Sequence, residues 1–155
     1  MPAPQKRQAE LTSKLKARGY RLTPQRLAII RILAASTSHP SVEQVYDRVR
    51  ADFPTTSLAT VYKTVTLLRG MGEVLELSFG ADGNRYDGNK PYPHPHLICL
   101  KCRRILDPEV NGLSEWLRQV GRMTGYRVTG HRLDLYGLCP GCQKREPGKR
   151  RKYHE

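Results

Sequence analysis

The 155-residue chain predicts an α+β protein in which short helices and a β-hairpin precede a small α/β unit. Three observations carry that reading. Capped, amphipathic helix signals recur as far as Gly72, and alternating apolar residues between glycine turns begin at Glu73. Two Cys-x-x-Cys pairs then bracket the second half, as in a small domain stapled by a metal.

Residues 5–18 read as a basic helix with Ala9, Leu11 and Leu15 on its apolar side, ended by Gly19. Thr23 is the N-cap of a second helix, and Pro24 takes the first helical position, where its missing N–H costs nothing. That helix runs to about Ala35 with Leu27, Ile30 and Leu33 as its buried stripe. The Ser-Thr-Ser-His39-Pro40 segment breaks the pattern. Ser41 then caps a third helix with Gln44 as capping-box partner, followed by Val42, Val45, Tyr46 and Val49 at helical spacing. After the turn at Phe53-Pro54-Thr55-Thr56, Ser57 caps a fourth helix running from Leu58 to about Met71. Residues 73–79 read as a strand, returned by the Gly80-Ala81-Asp82-Gly83 turn through residues 84–87.

Short helices followed by a hairpin is the order of a winged helix-turn-helix. In that arrangement the second helix of the motif enters the major groove and the wing reaches the backbone. The reading helix would open Ser57-Leu58-Ala59-Thr60-Val61-Tyr62-Lys63-Thr64, with small polar residues, one aromatic and one cation facing the bases.

In the second half, a helix within residues 108–124 places Leu113, Trp116, Leu117 and Val120 at helical spacing, and residues 126–136 alternate like a strand. Strands at 96–99, 105–107 and 128–136, with that helix against them, make a three-stranded unit whose edges need cover. A second copy of the chain is a natural cover, and a two-fold dimer would match a palindromic DNA operator. The expected organisation is a winged-helix DNA-binding domain with its N-terminal helix at 1–86, an α/β dimerisation and metal-binding domain at 87–143, and a disordered basic tail at 144–155.

The net charge is +13, with 12 basic and 6 acidic side chains in residues 1–78, 9 and 6 in residues 79–143, and 6 and 2 in the tail. A basic excess spread through folded segments favours nucleic acid over membrane as partner, although solubility alone is the other reading of such charge. No apolar run approaches a bilayer span and no apolar segment follows the first basic residues, so a cytoplasmic protein with reduced thiols is expected.

The stretch at residues 84–107 concentrates the chemistry. Cys99-x-x-Cys102 and Cys139-x-x-Cys142 together supply four thiolates, a closed tetrahedral shell for structural Zn²⁺. Asp87, His94, His96 and Asp107 are nitrogen and oxygen donors suited to an exchangeable Fe²⁺ or Mn²⁺. His39, far off in sequence, would tie the helical half to the second half if it joined them. A lone histidine is usually structural, and His131 and His154 are read so.

Arg21-Leu-Thr-Pro-Gln-Arg26, His39-Pro-Ser-Val-Glu-Gln-Val-Tyr46, Ala59-Thr-Val-Tyr62, His94-x-His96-x-x-Cys99-x-x-Cys102 and His131-Arg-Leu-Asp-Leu-Tyr136-Gly resemble the ferric uptake regulator superfamily over residues 10–143. The resemblance implies a dimeric DNA-binding repressor, with the four cysteines on structural zinc and His39, Asp87, His94, His96 and Asp107 on the regulatory metal. It implies that Tyr62 contacts bases, that Lys63 sits at a position often basic, and that Arg21 enters the minor groove. Ser57 and Thr60 complete the expected DNA-binding set. Asp at both carboxylate positions, and Pro93 and Pro95 where many iron-sensing members have further ligands, resemble the peroxide-sensing branch. In that branch Fe²⁺ and peroxide oxidise a ligand histidine, here His39 or His94, and the repressor leaves DNA. An iron, zinc or manganese homeostasis repressor of the same family is the nearer alternative. A zinc deaminase is the distant one, and it lacks both the HxE motif and an open zinc position. The expectation is no enzyme activity and no small-molecule substrate.

Overall fold

Local signals decide most of the helices. The computed structural model describes residues 4–145. It divides into two units, Met1–Pro93 and His94–Glu155. The first contains α1 (Pro4–Ala17), α2 (Pro24–Ala35), α3 (Val42–Asp52) and α4 (Leu58–Gly70), followed by β1 (Leu75–Ser78) and β2 (Asn84–Asp87). Thr23 Oγ1 accepts from Arg26 N at the start of α2. The capping box of α3 is complete: Gln44 N donates to Ser41 Oγ at 3.2 Å, and Ser41 N donates to Gln44 Oε1 at 2.9 Å. One core joins the four helices, built from Leu11, Leu15, Ile29, Ile30, Leu33, Val45, Val49, Val61 and Leu68. Within α2, Ile30 and Leu33 of the expected stripe are fully buried and Leu27 is only half-buried. Ala28, Ile29 and Ala34 join the buried face because α1 and α3 both pack on α2.

A charged clamp joins the two ends of this unit. Arg7 is 3% exposed. Its guanidinium donates to Gly88 O at 2.9 Å, to Glu73 O at 2.9 Å and to Glu73 Oε2 at 3.0 Å. Lys14 Nζ reaches Glu73 Oε1 at 2.6 Å. Every buried nitrogen of Arg7 thus has an acceptor, which is what makes a buried cation tolerable. Gly88 is required here on packing grounds: a Cβ would stand 2.8 Å from Leu33 Cβ.

The second unit contains β3 (His96–Cys99), β4 (Ile105–Leu106), α5 (Leu113–Thr124), β5 (Asp134–Gly137) and α6 (Pro140–Lys144). Its sheet has the order β4-β3-β5, antiparallel between β3 and β4 and parallel between β3 and β5. The strand expected at 128–136 is confined to Asp134–Gly137, the four residues that β3 can pair. Helix α6 follows Cys139 directly, where the sequence suggested no helix; Pro140 at its first position starts it. Lys144 belongs to α6, whereas the rest of the expected tail beyond Arg145 lies outside the described residues. Helix α5 has no buried residue, and Trp116 on it is 57% exposed. No helix among the described residues is long and apolar enough to cross a membrane.

Replacing Arg7 with Met leaves Glu73 with Lys14 as its remaining cation and abandons two carbonyl acceptors. We expect a loss of roughly 3 kcal/mol in urea unfolding; a loss below about 0.5 kcal/mol would show that the clamp contributes nothing net.

Candidate metal centres and nucleic-acid interface

In the first unit, strand β2 is laced onto the segment between α2 and α3. Tyr86 N donates to Pro40 O at 3.0 Å, Arg85 Nη2 donates to Ser38 O at 2.8 Å, and Arg85 Nε donates to His39 O. These bonds hold His39 in the left-handed region at φ 51°, a strained backbone for a residue ahead of proline. They bring His39 Nε2 to 3.1 Å from Asp87 Oδ2. Both side chains are buried, at 1% and 3% exposure. The other carboxylate oxygen, Asp87 Oδ1, accepts from the backbone N–H of Asn89 and of Lys90, each at 2.8 Å. One oxygen is thus fixed by the chain and the other is aimed at the imidazole.

In the second unit, His94, His96 and Asp107 come together. Their donor atoms lie within 4.8 Å of one another. His94 Nε2 is 3.2 Å from Asp107 Oδ2 and 3.1 Å from His96 Nε2. Strand register places His96 opposite Asp134, and His96 Nδ1 stands 3.4 Å from Asp134 Oδ1. Asp134 thus stands behind the far nitrogen without a hydrogen bond between these two atoms, at the position where a metal-binding histidine usually has its second partner. His96 Nε2 faces His94 and Asp107. Arg132 Nε holds Asp134 Oδ2 at 2.7 Å. Nitrogen and oxygen donors without sulfur fit Fe²⁺ or Mn²⁺ better than a thiophilic ion.

The four cysteines of this unit also converge, their Sγ atoms all within 4.8 Å of one another. Strand β3 delivers Cys99, and a tight turn with Arg103 at φ 61° carries the chain past Cys102. Cys139 is the N-cap of α6 and Cys142 lies in its first turn. A tetrahedron with bonds of about 2.3 Å has edges of about 3.8 Å, and Cys102 Sγ and Cys139 Sγ are 3.7 Å apart. The set fits Zn²⁺. Backbone N–H groups, that of Cys139 first, pull the Cys99 thiol down to about 6. Burial and the neighbouring thiols push Cys142 up to about 12. Four thiolates at neutral pH therefore need a cation among them.

On helix α4, Ser57 and Thr60 are occupied at the cap: Thr60 N donates to Ser57 Oγ at 3.1 Å, and the two hydroxyls are 2.9 Å apart. Tyr62 and Lys63 are exposed beyond them. Tyr62 OH donates to Glu43 Oε1 of α3 at 3.2 Å. Arg21 is exposed ahead of α2, its carbonyl accepting from Arg26 Nη1 at 2.6 Å.

Residues 17–136 match the ferric uptake regulator family. The chain belongs to that family. It is 39% identical over 134 residues to the peroxide-responsive repressor PerR of Staphylococcus aureus, covering 86% of this chain and 90% of that protein. A zinc-bound manganese uptake regulator superposes with a TM-score of 0.69 at 35% identity, covering 83% of this chain and 98% of that one. The ferric uptake regulator of Helicobacter pylori superposes with a TM-score of 0.78 over 91% of this chain and 94% of its own, at 23% identity, a likeness of fold. The architecture is that of the family, a winged helix-turn-helix domain followed by a small α/β dimerisation domain. As a family member the chain is a metal-responsive transcription regulator and not an enzyme.

Sequence reasoning missed Asp134, although its i, i+2 spacing from Arg132 was a usable signal once β5 was paired with β3. It also missed Arg85 and Glu43, which are distant in sequence from the residues they hold. His131 is half-buried with no hydrogen-bond partner at Nε2 among the described residues, and His154 lies outside them. Among family members this chain should purify with about one zinc per polypeptide, read by elemental analysis. Cys142→Ser should lose that zinc and melt the second unit's circular dichroism signal; full zinc retention in this variant would contradict a four-thiolate shell.

Proposed function

We propose that this regulator is a dimeric transcriptional repressor that binds a palindromic operator when its regulatory metal is held, and that hydrogen peroxide ends the repression. Structural Zn²⁺ belongs to Cys99, Cys102, Cys139 and Cys142. Regulatory Fe²⁺ or Mn²⁺ belongs to His39, Asp87, His94, His96 and Asp107. The observation that carries the reading is the pair of buried donor sets, one in each unit, matched in chemistry: a histidine with an aspartate in the first, and two histidines with an aspartate in the second. One ion drawing on both sets would couple a reading domain to a dimerising domain, and the coupling must be reciprocal between metal and DNA.

Each residue has a distinct part. Asp87 offers a carboxylate preset by two backbone N–H groups. His96 has Asp134 behind its far nitrogen, while Asp107 lies beside both His94 and His96. Bound Fe²⁺ would supply the reduction of hydrogen peroxide next to these ligands. His39 and His94 are the side chains that take up oxygen in this account; an oxidised imidazole is a poorer donor, and the set then loses its ion. The identity to the Staphylococcus aureus peroxide-responsive repressor supports the peroxide signal.

Helix α4 is the reading element, with Tyr62 at base edges and Lys63 at phosphate, and Arg21 reaches the minor groove. Ser57 and Thr60 hold the start of that helix against the duplex. The second copy covers the apolar face of α5, where Trp116, Met123 and the following Tyr126 stand exposed, and the free edges of β4 and β5.

A metal-level repressor is the second reading, favoured by the likeness to the manganese uptake regulator. Mass spectrometry separates the two. Brief peroxide treatment of Fe²⁺-loaded protein should add one oxygen to His39 or His94 and abolish operator binding, whereas Mn²⁺-loaded protein should be unmodified. Intact histidines with retained binding in the Fe²⁺ form would leave the metal-level reading.

A further inference from the structure

A protein of net charge +13 keeps an acidic notch on the face that presents its reading helix. The notch has a volume of about 370 Å³, and Glu43, Tyr62, Asp82 and Asn84 are among its lining residues. No lysine or arginine lines it among the described residues. Glu43 occupies the first turn of α3, where the helix dipole favours a carboxylate. Its position beside α4 is nevertheless unfavourable for affinity, because a carboxylate near phosphate repels it. Such a group on a reading face serves discrimination more readily than binding strength.

The contact within the notch specifies what is discriminated. A neutral phenol has one proton and two lone pairs. The Tyr62 proton goes to Glu43 Oε1 at 3.2 Å, and the neighbouring carboxylate holds the phenol's pKa above its usual value, so that proton stays on. Tyr62 is 45% exposed, and what its oxygen offers outward is lone pairs. Glu43 adds only further acceptors. In the major groove an acceptor finds donors in the exocyclic amino groups of adenine and cytosine, whereas guanine and thymine offer acceptors there.

We propose that Glu43 and Tyr62 act as one specificity-determining unit that selects a base carrying an exocyclic amino group at the operator position facing Tyr62. Glu43 is a positioning residue in this unit: it fixes the direction of the Tyr62 hydroxyl, and so decides whether that hydroxyl donates or accepts. The inference rests on α4 being the reading helix, and it adds the chemistry that the helix reads.

The test begins with selection of duplexes from a random pool by the full-length, Mn²⁺-loaded protein. A pool that yields no enriched sequence overturns the DNA reading itself, before any variant is made. From the enriched duplex, each adenine is replaced in turn by purine and each cytosine by 2-pyrimidinone, which removes one amino group at a time. Wild type should lose roughly fivefold to tenfold in affinity at one position per half-site. Glu43→Ala should bring that loss below about twofold, Glu43→Gln should keep most of it, and Tyr62→Phe should abolish it. In the Tyr62→Phe background, Glu43→Ala should have no further effect on the amino dependence. The proposal is overturned if Glu43→Ala retains the full amino dependence, or if the two substitutions act independently. Should Glu43→Ala not fold, Tyr62→Phe alone decides, since it leaves the start of α3 untouched: retained amino dependence there overturns the unit.

Discussion

An imidazole and a carboxylate buried side by side, away from water, form a costly arrangement unless the surroundings fix both and something charged joins them. His39 and Asp87 are such a pair, and much of the first unit serves their placement. Strand β2 is bonded across residues 38–40 through Arg85 and Tyr86. The loop after Asp87 is tied back by its own carboxylate and by Arg7, which anchors Gly88 to α1 and Glu73. The strained backbone of His39 is held by these bonds, and strain sustained in that way is a mark of a functional site. The helical core therefore does more than support α4: it places a buried histidine–carboxylate pair at the end of the hairpin.

The second unit solves a different problem. Its sheet is short and its buried apolar residues few, with Ile98 and Ile105 the only fully aliphatic ones among the described residues. A unit of this size needs a staple. Two Cys-x-x-Cys knuckles, one at the β3–β4 turn and one at the start of α6, bring together the four thiols that would provide it around a metal ion. Apart from these thiols, His94, His96 and Asp107 form a separate nitrogen–oxygen set. The proposed division of labour follows ligand softness: sulfur would keep zinc permanently, and imidazole with carboxylate would exchange a harder ion.

Legibility in the sequence tracked the range of the interaction. Caps at Thr23, Ser41 and Ser57 are local, and α2 and α3 lie where those residues place them. Strands β2 and β3 were legible from alternation and turns. By contrast, β5 is shorter than its alternation suggested, because strand length is set by the partner, and β3 offers only four residues. Helix α6 escaped notice because five residues carry no periodicity. The candidate ligands were legible as residue types at metal-binding spacing. The adjacency of His39 and Asp87 was not: it depends on how β2 packs across the α2–α3 segment, and the family resemblance supplied it. Asp134, Arg85 and Glu43 stand against His96, His39 and Tyr62 respectively, and such long-range partners emerge only from tertiary structure.

If one regulatory ion is held by His39, Asp87, His94, His96 and Asp107 as proposed, metal binding and DNA binding are linked. Linkage makes this testable on the metal side. Mn²⁺ affinity should be measured by equilibrium dialysis on zinc-replete protein, with and without saturating operator duplex, for wild type and for His39→Ala. Operator should raise the wild-type affinity on the order of tenfold or more, and His39→Ala should abolish the increase while zinc content stays intact. Equal Mn²⁺ affinity with and without operator in the wild type would contradict the linkage.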